Sequence, residues 1–91
     1  MHEMSLINNL MDKIETVARQ QGAGRIVKVT LRLGALSHIS ADHFREHFIE
    51  GSRGGVADGA RLDIETSDDI HDPRAQDIML LSVDIEPPHQ P

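Results

Sequence analysis

The stretch "RIVKVTLRLG" limits this chain's possible folds more than any other. Val27, Val29, Leu31 and Leu33 alternate with Lys28, Thr30 and Arg32. A strand turns successive side chains to opposite faces. The alternation therefore predicts a strand with one dry face and one wet face, stopped by Gly34. Such a strand needs an apolar cover. The preceding segment offers one: Leu6, Ile7, Leu10, Met11, Ile14, Val17 and Ala18 recur at helical spacing. Asn8, Asn9, Asp12, Lys13, Glu15 and Arg19 fill the opposite face. Ser5 is the expected N-cap, and Gly22 or Gly24 the end.

The segment "SADHFREHFIEG" supplies a second, shorter helix. Ser40 can cap it, Ala41, Phe44 and Phe48 share a face, and it should end near Gly51. "GSRGGVADG" reads as a flexible loop. "ARLDIET" alternates with Leu62 and Ile64 inward. Residues 66–77, "TSDDIHDPRAQD", are polar and acidic and predict a loop. "IMLLSVDIE" is the most apolar strand, with Met79, Leu81, Val83 and Ile85 assigned to one face. "PPHQP", residues 87–91, reads as a disordered tail. The order helix-strand-helix-strand-strand, with one apolar face on each element, predicts an α/β fold of the α+β two-layer kind. Two helices pack on one face of a three-stranded sheet.

With 91 residues the chain makes one domain, expected over 1–86. Domains of this size bury roughly 60–65% of their extended surface. Phe44 and Phe48 are the whole aromatic complement, so aliphatic residues must build the core. The absence of cysteine excludes disulfides and thiolate metal sites. The net charge is -6 and the nine basic residues are scattered, which argues against nucleic-acid binding. No run of about 18 apolar residues offers a membrane span. The amino terminus lacks the basic start and apolar block of a signal peptide, so a cytoplasmic location is expected.

His43, Glu46 and His47 spell H-x-x-E-H, the inverted zinc-peptidase pattern. The two histidines lie one helical turn apart and can share a metal. A catalytic zinc site also needs a third ligand and a substrate cleft, and this chain is too short for a peptidase body. A solvated helix face accounts for the pattern better. His71 lies between Asp69 and Asp72 in a polar loop. The glycines of residues 51–59 follow a helix instead of opening one, so they form no phosphate cradle.

"MHE" at the start carries distinct chemistry. A bulky His2 should leave Met1 in place. The Met1 amine and the His2 amide nitrogen close a five-membered chelate ring around a metal; the same amide nitrogen and His2 Nδ1 close a six-membered one. Three nitrogens then occupy three corners of a square plane, which suits Ni(II) or Cu(II) over Zn(II). The fourth corner stays open to a Glu3 group, a distant histidine or a partner protein.

"MHEMSL", "VTLRLGALSHIS" and "GARLDIE" together resemble the HypA/HybF family of hydrogenase maturation factors over about residues 1–66, and "IMLLSVDIE" resembles the family's closing strand. The resemblance implies Ni(II) binding through Met1, His2 and Glu3. It also implies delivery to the large subunit of [NiFe]-hydrogenase, in some organisms to urease, with the GTPase HypB as partner. Its fold would be a small domain of two helices and three strands. Family members carry a zinc-binding insert with two C-x-x-C pairs between the last two strands. Here that place holds a cysteine-free loop, so no structural zinc is expected, and His71 becomes the candidate extra nickel ligand. An alternative reading is a docking or assembly module without nickel delivery, using Lys28, Thr30 and Arg32 of the wet face or the sheet edge. Either a monomer or a homodimer is compatible with the sequence.

Overall fold

A computed structural model describes residues 2–22 and 24–86, with the backbone only for residues 2–6. The elements are α1 (His2–Gln20), β1 (Ile26–Leu33), α2 (Ala41–Ser52), β2 (Arg61–Thr66) and β3 (Ile78–Ile85). The tail expected at 87–91 lies outside the described residues. β1 is the central strand, parallel to β2 and antiparallel to β3. Both helices lie on the same face of the sheet, as the patterning requires.

The helices form for the expected reasons, with one change of boundary. α1 starts at His2, so Ser5 lies inside the helix and not at its cap. Neither proline nor glycine interrupts residues 2–5, and Glu3 in the first turn suits the positive end of the helix dipole. Gly22, at φ 68, ends α1 in the left-handed conformation. At α2, Ser40 Oγ accepts a hydrogen bond from the His43 N–H at 3.1 Å. The hydroxyl thereby satisfies one of the orphan donors of the first turn.

Ile7, Leu10, Ile14 and Ala18 of α1 are buried against Phe44 and Phe48 of α2 and Ile26, Val29, Leu31, Leu33 and Leu62 of the sheet. The phenyl rings stack with centroids 6.4 Å apart. Burying a side chain of this size contributes about 1.5–3 kcal/mol. Arg45 Nη1 donates to the Leu62 carbonyl at 3.0 Å and ties α2 to β2.

Three positions depart from simple alternation. Val27 is 44% exposed and Ile26 takes the buried place. In β3, Leu81 is 39% exposed and Met79 pairs with Arg32 on the uncovered face. Ile78, Leu80, Val83 and Ile85 pack on the core instead. The β1–β3 register shifts between Ile26 and Lys28, and again between Thr30 and Leu31. Val27 is the extra residue on β1 and Leu81 the extra residue on β3. Each bulge moves one strand by one residue, which reverses which side chains face inward.

The two connections that flank β2 are anchored. In residues 51–59, the Gly54 N–H donates to Asp58 Oδ2 at 2.9 Å and Ala57 is buried, while the Ile26 N–H donates to the Val56 carbonyl at 2.9 Å. This segment is a run of hydrogen-bonded turns, not the open loop its glycines predict. The connection 67–77 closes over the end of β1. The Gly34 N–H donates to the Asp77 carbonyl at 2.9 Å and the Leu36 N–H to the Ala75 carbonyl at 2.7 Å. A Cβ at Gly34 would land on the Ala75 carbonyl, so this approach requires glycine. No helix among the described residues is long and apolar enough to cross a membrane.

Candidate metal-binding sites

Packing fixes where each candidate lies. Asn9, Leu10 and Lys13 of α1 line a hollow with Ile78, while Glu15, Ala18 and Arg19 line another with Val56. Ile78 pairs with Leu33 at the end of β1, and Val56 is bonded to Ile26 at its start. α1 therefore runs opposite to β1. Its first turns lie at the end of the fold where β1 stops and the connection 67–77 crosses.

Met1 lies outside the described residues. His2 and Glu3 occupy the first turn of α1, and their side chains are likewise outside the description. His71 is exposed on the connection at the same end of the fold, where its backbone N–H donates to Asp69 Oδ1 at 3.0 Å. His38, exposed and with left-handed backbone (φ 61), follows β1 at that end too. Among the described residues, no group of three or more His, Cys, Asp or Glu side chains could hold a metal. His43, Glu46 and His47 accordingly make no three-ligand peptidase centre.

His43 and His47 nevertheless meet. Their Nε2 atoms lie 2.8 Å apart, with ring centroids separated by 4.6 Å. His47 is half-buried and lines the cleft between the helices with Ile7, Asn8, Met11, Glu50 and Gly51. The i, i+4 spacing could have signalled this contact; the cleft needed both helices in place.

On the uncovered sheet face, Lys28 Nζ lies 3.1 Å from Asp63 Oδ2, Arg32 Nη2 3.7 Å from Glu65 Oε2, and Arg61 Nε 3.5 Å from Asp63 Oδ1. The hydrogen bond from Lys28 holds the Asp63 carboxyl below its usual range, with further help from the charges of Lys28 and Arg61. Lys28 and Arg32 are thus already paired within the strand layer, with Thr30 between them.

The fold defines a small two-layer α+β domain that other proteins share. The solution structure of the Ni metallochaperone HypA from Helicobacter pylori matches with a TM-score of 0.74 at 19% identity, covering 91% of this chain and 96% of that one. A solution structure of a HypA protein matches with a TM-score of 0.70 at 23% identity, covering 94% and 97%. In sequence, the family described as "Hydrogenase/urease nickel incorporation, metallochaperone, hypA" matches residues 1–71. Hydrogenase maturation factor HypA of Chlorobium limicola is 43% identical over 65 residues, 71% of this chain and 56% of that protein. The HypA of Methylocella silvestris is also 43% identical over 65 residues, 71% of this chain and 58% of its own length. The chain belongs to the HypA family of nickel-incorporation metallochaperones. It spans a little more than half the length of these curated relatives.

Proposed function

We propose that this chain handles nickel for [NiFe]-hydrogenase maturation. It binds Ni(II) through Met1, His2 and Glu3 and hands the ion to the hydrogenase large subunit, with HypB as a candidate partner. The observation that carries this reading is the family match over residues 1–71, which includes the Met-His-Glu start.

The donor chemistry fits. A Met1 amine, the His2 amide nitrogen and the His2 imidazole form two fused chelate rings and leave one corner vacant. Square-planar nitrogen donors favour Ni(II) over Zn(II). The first N–H groups of a helix have no acceptor within it, so an α1 that begins at His2 leaves the His2 amide unengaged by the helix ladder. The vacant corner is the route of exchange: an incoming ligand binds there before the frame lets go. His71, on the connection that crosses the same end of the fold, is the candidate temporary fourth ligand.

Binding needs a deprotonated amine, a deprotonated amide and a neutral imidazole, so affinity falls with acidification. Calorimetric titration of the untagged chain with Ni(II) tests the site. Loss of the tight binding event in His2→Ala supports it, and unchanged affinity removes it.

A docking role is the second reading, favoured by the uncovered sheet face with exposed Val27 and Leu81. Normal hydrogenase maturation with His2→Ala, together with co-purification of a hydrogenase subunit, would select it.

A further inference from the structure

The His43–His47 pair is not used by the reading above, and its geometry is specific. Two Nε2 atoms 2.8 Å apart admit two states. In one, a ring N–H donates to the other ring's bare nitrogen. In the other, the proton shifts to Nδ1 of its own ring and a metal ion takes its place between the two Nε2 atoms. Metal–imidazole bonds of about 2.0 Å meeting at a right angle put the two nitrogens about 2.8 Å apart, whereas a tetrahedral angle needs about 3.3 Å. The pair is therefore already spaced for two adjacent corners of a square plane.

Its position adds a second argument. Along the helix seam, Met11 Cε lies 4.0 Å from where a Gly51 Cβ would stand, and Ile7 and Asn8 share the cleft with His47. These contacts step together along both helices, so α1 and α2 run in the same direction there. His43 lies one turn nearer the start of α2 than His47, on the side toward the first turns of α1. Glu50, one turn beyond His47, adds a carboxylate to the same cleft.

We propose that His43 and His47 form a second Ni(II) site, bidentate through both Nε2 atoms, at the seam between α2 and the first turns of α1. Two imidazoles hold the ion less tightly than a frame with two fused chelate rings, so an ion caught here passes downhill to the amino terminus. That transfer role rests on the function proposed above; the binding itself does not.

The test uses the full chain carrying a short amino-terminal extension, which removes the Met1 amine and with it the terminal frame. Nickel chloride is titrated by calorimetry, and the melting temperature is followed. The extended chain is expected to bind one Ni(II) and to melt higher with nickel present, because the ion binds the folded helix only. His43→Ala, a change at an exposed helix position, should abolish both effects, and His47→Gln should do the same with little loss of side-chain volume. An extended chain that ignores nickel, or one whose binding is unchanged in His43→Ala, overturns the proposal. The two sites fail separately. If His2→Ala is neutral in the native chain while the extended chain binds, the terminal frame is wrong and the pair stands. If the extended chain is silent while His2→Ala abolishes binding in the native chain, the pair is wrong and the frame stands.

Discussion

The covered and uncovered faces of the sheet take residues from the same three strands and put them in opposite surroundings. Val29 and Leu31, fully buried, meet Phe44 and Phe48 on the helical side. Lys28, Thr30 and Arg32, interleaved with them, meet charged residues of β2 in solvent. Apolar burial stabilises in proportion to area, whereas ion pairs exposed to water contribute little. The helical face therefore holds the fold together, and the open face can change at small cost. This difference explains how a chain with so few aromatic residues stays folded without a disulfide, and it sets an order of sensitivity.

The largest effect should come from Phe44→Ala, which empties the centre of the covered face. A loss of about 3–5 kcal/mol is expected in urea unfolding. A loss under about 1 kcal/mol would break the comparison. Next comes Gly34→Ala, at the end of the central strand. Its Cβ would displace the Ala75 carbonyl and lift the connection 67–77, with an expected loss of about 1–3 kcal/mol. Amide exchange should accelerate first at Leu36, whose bond to Ala75 is strained by the move. Ser40→Ala removes the cap of the covering helix α2 and should cost about 1 kcal/mol.

The smallest effect belongs to the open face. Asp63→Asn should leave neutral-pH stability within measurement scatter, because the carboxylate and both its cationic partners are solvated. Its one visible consequence lies in acid. A carboxyl held below its usual range stabilises the folded chain above its unfolded value and loses that contribution as pH falls through its folded value. The variant should therefore lie level with or slightly below the parent above the ordinary aspartate value, lose less stability than the parent as the pH falls, and converge with it in acid.

The same contrast separates what could be read in the sequence from what could not. Both helices, all three strands, the one-sided packing and the Ser40 cap follow from periodicity and capping chemistry, which are local. The orientations of Val27, Met79 and Leu81 do not. A bulge is a relation between two strands, and the shifts at Val27 and Leu81 have no mark in either strand alone. The glycines of residues 51–59 suggest freedom, but in the packed fold Gly54 N–H bonds to Asp58 Oδ2, Gly55 N–H to the Ser52 carbonyl, and Ile26 N–H ties the segment to the sheet through the Val56 carbonyl. Of the candidate sites, the chelation proposed for Met1, His2 and Glu3 is a reading from neighbours in sequence alone, and those side chains lie outside the described residues. The imidazole contact of His43 with His47 was half legible, from spacing, while its cleft against Ile7, Asn8 and Met11 needed the tertiary structure.

Nickel binding at a free amino terminus is the central claim, and calorimetry with spectroscopy on the untagged chain tests it most directly. Tight Ni(II) binding with the absorption of a planar nitrogen-bound ion, lost in His2→Ala and in an amino-terminally extended chain, is the predicted result. Tight binding of equal strength in all three chains would place the ion elsewhere and contradict the account.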